Sequence, residues 1–266
     1  MLPPDYHMHT SLCGHAKGEP IDYAANALRL GLKTIGFSDH APRSKDGLDD
    51  WRMRQSNLET YVAKVEQARQ AHPSLEILLA LEVDYLPDEV EWIQNLSQLY
   101  SWDYLIGSVH YVDAQWAVDN PEQLQNWEKE DVDEVWNRYI ERLIEAAESG
   151  FFNILGHIDL CKKFGHFPNR DMKAQWDRLF ALVKARGIAI ELNTAGLRKQ
   201  CQEIYPSATL LHQAKRWGIP ITFGSDAHAP NEVGMNFDAA LKLARNAGYQ
   251  DSVYFNQRES YSCRFT

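Results

Sequence analysis

Short runs of β-branched and aliphatic residues alternate along this chain with longer stretches whose apolar positions recur at helical spacing. The runs are DYHMHT (5–10), TIGFSDH (34–40), EILLALEVDY (76–85), YLIGSVH (104–110), FNILGHID (152–159), IAIELNT (188–194) and PITFGSDAH (220–228), each of strand length. Between them Val132, Val135, Trp136, Tyr139, Ile140, Leu143, Ile144 and Ala147 fall at i, i+3, i+4, i+7 positions, which predicts a helix with one buried face. Trp176, Leu179, Phe180 and Val183 repeat the pattern and stop before Gly187, a helix-ending residue, and Pro20 is placed to start a helix through Leu28.

Strand-then-helix repeats predict parallel strands joined by right-handed crossovers. Seven such units predict a (β/α)7 barrel, one unit short of the usual eight. The stretch 111–130, with Trp116, Pro121 and Trp127, reads as an inserted loop, and Val253 to Phe265 as a small terminal hairpin. The chain shows no internal repeat, linker or low-complexity segment, so 1–266 is expected to form one domain.

At 266 residues and 44% hydrophobic, the chain has enough apolar material for a large core. No apolar run approaches the ~18 residues of a membrane span, and MLPPDYHM has neither the basic nor the apolar region of a signal peptide. A cytoplasmic location without membrane partners is the expectation. Cys13, Cys161, Cys201 and Cys263 are scattered with no Cys-x-x-Cys, which suits reduced thiols. A net charge of −10 without a Lys/Arg-rich run argues against a nucleic-acid partner. An anionic substrate therefore needs a local source of positive charge.

The candidate chemistry sits at the C-terminal ends of the predicted strands. His7 and His9 close the first, Asp39 and His40 the second, Glu82 and Asp84 the third, and His110 the fourth. His157 and Asp159 close the fifth, Glu191 and Asn193 the sixth, Asp226 and His228 the seventh. In an extended segment side chains two apart share a face, so His7 and His9 present their imidazoles side by side. In a parallel barrel these ends converge. Counting His15, seven of the ten histidines would meet there, an arrangement that wastes solvation unless a cation gathers the rings. His72, His166 and His212 lie elsewhere.

The set His7-x-His9, His15, Ser38-Asp39-His40, Glu82, Gly107-Ser108-Val109-His110, Gly156-His157 and Ser225-Asp226-Ala227-His228 resembles the PHP (polymerase and histidinol phosphatase) metal-dependent hydrolases. The motifs follow the family's order across nearly the whole chain. Residues 190–199 (IELNTAGLRK) and 203–207 (EIYPS) are similar to the histidinol-phosphatase branch. The resemblance implies a distorted (β/α)7 barrel with a trinuclear metal site at the strand ends. It implies one ion on His7, His9, Glu82 and Asp226, a second on Glu82, His110 and His157, and a third on His15, His40 and His228.

Imidazole and carboxylate ligands suit zinc, manganese or iron, and the sequence does not choose among them. Three divalent ions would make the site cationic within an acidic protein, and would lower the pKa of a bound water towards ~7 so that hydroxide attacks phosphorus. Arg198 is the candidate phosphate clamp, since guanidinium matches phosphate oxygens with two donors, and Lys162 or Lys163 is a candidate second contact. Asp39 and Asp159 are candidates to orient a ligand imidazole, whereas Asp84 is expected to point away from the mouth. The resemblance implies that Glu82 bridges two ions, and Asp226, His228 or a metal-bound water is a candidate to protonate the leaving alcohol.

The resemblance thus implies a phosphomonoesterase that hydrolyses L-histidinol phosphate in histidine biosynthesis. Its rivals are an esterase of nucleotides or other small phosphate esters and a non-catalytic metal-binding module.

Overall fold

The computed structural model describes residues 2–265. Six strands form one parallel sheet in chain order: β1 (Thr34–Phe37), β2 (Glu76–Asp84), β3 (Tyr104–Ser108), β4 (Ile154–Leu155), β5 (Ala189–Asn193) and β6 (Ile221–Gly224). Helices α2 (Leu58–Ala71), α3 (Val90–Leu99), α4 (Val132–Ser149), α5 (Lys173–Arg186) and α6 (Ala208–Trp217) connect them. Helix α1 (Pro20–Leu30) precedes β1 and α7 (Phe237–Asn246) follows β6.

The first of the seven predicted strands is not a ladder strand. Residues 5–9 instead bridge the two edges of the sheet. Gly36 N donates to Asp5 O and Ser38 N to Met8 O on the β1 side, while Tyr6 N donates to Phe223 O and His9 N to Ala227 O on the β6 side. Tyr6 packs inside the barrel and Met8, two positions on, packs against the helices. The two-residue alternation fails between them, leaving single bridges at Asp5–Ile35 and Met8–Ala227. With this segment closing the curl, the architecture is a distorted (β/α)7 barrel.

Alternation within the strands divides the rest of the molecule. Leu78 and Ala80 of β2, Tyr104 and Ile106 of β3, Ile154 and Ala189 fill the barrel interior with Tyr6. The same inward row continues to Glu82 and Asp84 on β2, to Ser108 on β3 and to Glu191 and Asn193 on β5, so the interior turns polar towards the mouth. The opposite faces pack against the helices. α4 buries Val135, Trp136, Tyr139, Ile140, Leu143 and Ala147, as its spacing predicts, begins at an Asp131 cap and ends at left-handed Gly150.

The terminal hairpin pairs β7 (Asp251–Asn256) with β8 (Glu259–Arg264). It covers the N-terminal ends of the strands, where Val253 and Phe255 enter the interior cluster and Phe255 meets the rings of Tyr6 and Tyr104 at 5.8 and 5.6 Å. The segment 111–130 is anchored by an antiparallel bridge between Tyr111 and Ala117 and by a Trp116–Trp127 contact. It lies over the opposite end, at the mouth.

Candidate metal centre

Every ligand-type residue expected from the sequence reaches the mouth. Glu82 stands at the centre. Its Oε1 lies 2.9 Å from His157 Nε2 and 3.8 Å from His110 Nε2, and its Oε2 lies 3.4 Å from His7 Nε2, 3.8 Å from His9 Nε2 and 2.8 Å from His40 Nδ1. Asp226 Oδ1 is 3.1 Å from His9 Nε2 and 4.0 Å from His7 Nε2. Four sets of potential ligand atoms fall within 4.8 Å of one another among the described residues: His9, Cys13 and Asp39, behind the His9 ring; His7, His9 and Glu82; Glu82, His110 and His157; and His9, His40 and His228. The set of His9, His40 and His228 differs from the expected His15, His40 and His228. His15 stands slightly farther out, its ring centroid 4.6 Å from His228 and 5.4 Å from His40.

Carboxylates and carbonyls behind the rings fix their orientation. His7 Nδ1 is 2.7 Å from Glu191 Oε1, His9 Nδ1 is 3.3 Å from Asp39 Oδ1, and His110 Nδ1 is 2.8 Å from Asp84 Oδ1. His228 Nδ1 donates to the carbonyl of Asp226 at 3.0 Å. Each contact holds a proton on Nδ1 and leaves Nε2 free towards the centre. Gly224 makes room for the first of them, since a Cβ there would collide with Glu191 Oε1. Asp226 sits in the left-handed region at φ 51°, a conformation that aspartate tolerates better than most residues.

Three expectations need correction. Asp84 does not point away from the mouth but holds His110, as its place on the inward row of β2 requires. Asp159 does not reach His157: its Oδ2 meets Lys162 Nζ at 2.8 Å and Ser207 N at 2.8 Å, and His157 Nδ1 has no hydrogen-bond partner. Lys162 is 1% exposed, and its ammonium is taken up by Asp159, by Glu203 Oε2 at 3.0 Å and by Ile204 O at 2.8 Å. It does not line the cavity. Lys163 does, tethered through Nζ to Asp119 O and Oδ2 at 2.8 Å. Glu191 and Ser108 are site residues to which the sequence reading gave no role, and the signal for both was their inward position on β5 and β3.

The electrostatics are those of a centre organised for positive charge. Burial pushes the Glu82 carboxyl up, but the facing imidazoles of His7 and His40 and the His157 hydrogen bond outweigh it and hold the group well below the carboxylate range. Burial lowers His9 and His110, yet hydrogen bonds to Asp226 and Asp39 lift His9 to about 9, and Asp84 lifts His110 to about 10. His40, buried and facing the His9 ring, falls to about 4. His7 Nε2 is buried without a hydrogen-bond partner, and Glu82 Oε2, though 2.8 Å from His40 Nδ1, has none of good geometry, a costly condition for polar atoms. A donor set of imidazoles and carboxylates with such orphaned atoms fits divalent metal ions.

The centre opens into a cavity of about 510 Å³ lined by Trp51, Asp119, Lys163, Arg198, Tyr205 and Glu232 among others, a volume usual for small-molecule sites. Arg198 reaches it with Nη2 donating to the carbonyls of Ser225 at 2.9 Å and Asp226 at 3.1 Å, while Nη1 is buried and unpartnered.

A model of the PHP domain matches residues 5–195, and one of the PHP-associated region matches 212–236. The chain belongs to the PHP domain family. A Deinococcus radiodurans PHP relative, named a probable histidinol-phosphatase, is 40% identical over 96% of this chain and 97% of its own. A Bacillus subtilis protein named histidinol-phosphatase is 29% identical over 91% of this chain and 99% of its own. The PHP fold is shared with the crystal structure of a Lactococcus lactis histidinol phosphate phosphatase, solved with zinc, L-histidinol and phosphate. It superposes with a TM-score of 0.82 at 21% identity, over 97% of this chain and 98% of that one. No helix among the described residues is long and apolar enough to cross a membrane.

Proposed function

We propose that this protein is a metal-dependent phosphomonoesterase that hydrolyses L-histidinol phosphate to L-histidinol and phosphate, as a single catalytic domain with 111–130 as its inserted loop. The observation that carries the reading is the convergence of seven imidazoles, Glu82 and Asp226 on one centre, five of the rings, both carboxylates and a tethered arginine lining one cavity. The names of relatives aligned over almost the full chain support the substrate.

Three divalent ions, drawn from zinc, manganese and iron, are assigned to the centre. His7, His9, Glu82 and Asp226 hold the first, and Glu82, His110 and His157 the second. His15, His40 and His228 hold the third, beside the His9 ring. Bound there, the ions supply positive charge to phosphate oxygens and a water acidic enough to be deprotonated at neutral pH. Arg198, its guanidinium anchored through Nη2 at the cavity wall, donates to the phosphate from the side of the cavity formed by residues 194–198. Lys163 adds a second cation, its ammonium steered by Asp119. Asp226 and His228 face the same space, and because a ligand carboxylate and an imidazole whose Nδ1–H is given to the Asp226 carbonyl release no proton, they would position a water that protonates the departing alcohol. Phosphoryl transfer needs positioning and charge neutralisation more than covalent catalysis, and no side-chain nucleophile is required.

The test is phosphate release by metal-loaded protein from L-histidinol phosphate beside a panel of nucleotides and sugar phosphates. A kcat/KM for L-histidinol phosphate well above that for every other ester is expected. Equal rates across the panel would reassign the protein as a general phosphoesterase, and no hydrolysis by protein with verified metal content would remove the catalytic reading.

A further inference from the structure

The loop 41–54 forms one wall of the cavity, and its Trp51 and Arg52 have no part in the reading above. Trp51 lines the cavity and sets its ring edge-on to two candidate ligands, with centroids 4.9 Å from His40 and 5.2 Å from His110. It also stacks on Tyr111, at the base of the inserted loop, at 5.9 Å and 17°. The Arg52 guanidinium lies 4.1 Å from the Trp51 ring centroid, within cation–π range.

The same guanidinium is buried among carboxylates. Nη2 donates to Asp84 Oδ2 at 2.8 Å, and Nε to both oxygens of Asp49 at 2.8 Å. Asp84 turns its other oxygen to His110, accepting from Nδ1 at 2.8 Å and from the backbone N–H at 3.1 Å. Asp49 accepts from the Tyr111 hydroxyl at 2.9 Å. One side chain therefore touches both the aromatic wall and the carboxylate that aims a candidate metal ligand. Burying a guanidinium is costly without such full pairing.

We propose that Arg52 is a positioning residue that couples the substrate wall to the metal centre. Its flat face fixes Trp51 as the surface against which the organic half of the ester packs. Its Nη2 fixes Asp84, and through Asp84 the His110 ring. Lysine cannot replace it, because an ammonium that reaches Asp84 offers neither a second donor to Asp49 in the same plane nor a face to the indole. The wall half rests on the phosphatase reading, and the metal half stands without it.

The experiment compares Arg52→Lys and Arg52→Gln with two one-sided variants, Asp84→Asn and Trp51→Leu. Zinc-loaded holoenzymes are followed for zinc loss to a chelator, for calorimetric binding of the product L-histidinol and for KM and kcat. Asp84→Asn is expected to accelerate zinc loss about tenfold or more, the usual scale for losing a carboxylate behind a ligand histidine, with little change in binding. Trp51→Leu is expected to weaken binding and raise KM several-fold with zinc loss unchanged. Both Arg52 variants are expected to move both readouts together. Variants that move only one readout, or that lower the melting temperature while zinc loss and binding match wild type, would make Arg52 a loop anchor and overturn the coupling. A wild type that hydrolyses no ester would instead sink the phosphatase reading, while zinc loss would still judge the contact between Arg52 and Asp84.

Discussion

Glu191 Oε1 lies 2.7 Å from His7 Nδ1, both groups buried, and the other Glu191 oxygen accepts from the backbone N–H of His157 at 3.0 Å and from Asn193 Nδ2 at 3.2 Å. The carboxylate thus orients one candidate ligand through its ring and another through its backbone. Glu191→Gln keeps the shape but adds two N–H donors. Placed towards His157, they oppose an existing donor. Placed towards His7, they demand an acceptor at Nδ1 and push the ring proton to Nε2, where a metal would bind. Metal affinity is expected to fall about 10–100-fold, read as metal content after dialysis against a chelator of fixed strength. Wild-type retention would show that Glu191 does not set the His7 tautomer.

The inward row that carries Glu191 also explains how much was legible beforehand. Ligand-type residues at strand ends could be read because strand alternation and the parallel barrel geometry bring them together whatever the details of packing. Arg198 was found through motif resemblance alone. Lys162 and Lys163 are adjacent in a 3-10 turn, Leu160–Phe164, where one residue's rotation separates a buried ion pair from the cavity wall, and no periodicity in the sequence sets that rotation. Asp159 was misassigned for the same reason, its partner being fixed by the turn. The irregular course of residues 5–9 was hidden because DYHMHT has the composition of a strand, and only the packing of Tyr6 and Met8 on opposite sides breaks its pairing.

Glu82→Gln removes the charge shared by two of the proposed ions. The wild-type carboxylate accepts from Ser108 Oγ at 2.7 Å and faces His157, His40 and His7, so the amide keeps one oxygen contact and loses the rest of its acceptor capacity. kcat is expected to fall by more than ~10³, the scale of losing a principal electrostatic stabiliser, with metal content reduced in parallel. Turnover within tenfold of wild type would exclude Glu82 as a bridge.

The two neighbouring lysines are expected to separate cleanly. Lys162→Met leaves the Asp159 carboxylate, which burial already pushes above its ordinary value despite the lysine, without its ion-pair partner. Breaking a buried pair costs about 3–5 kcal/mol, or on the order of ten degrees in melting temperature at this size. kcat/KM measured well below the transition is expected to stay within a few-fold of wild type. Lys163→Met lies at the cavity and is expected to do the reverse, with KM raised and stability nearly unchanged. Thermal unfolding beside steady-state kinetics reads both, and a Lys162 variant of wild-type stability would contradict the buried-pair assignment.

Arg198 tests the phosphate side of the site. Its Nη2 is spent on the carbonyls of Ser225 and Asp226, and Glu232 Oε2 stands 3.7 Å away, so the guanidinium is held in place before any substrate arrives. The side chain lines the cavity, and a preorganised charged donor to phosphate is worth about 2–3 kcal/mol. Arg198→Ala is therefore expected to lower kcat/KM for L-histidinol phosphate by roughly 30- to 150-fold. Arg198→Lys keeps the charge but loses the fork that holds two carbonyls while facing the cavity, so partial recovery is expected. Because the tether ends on Asp226, metal content is measured in both variants. A loss of activity that tracks a loss of metal would make Arg198 a support for Asp226, whereas full metal content with weakened kcat/KM is the signature of a phosphate contact. Equal kcat/KM in wild type and Arg198→Ala would take the arginine out of the site.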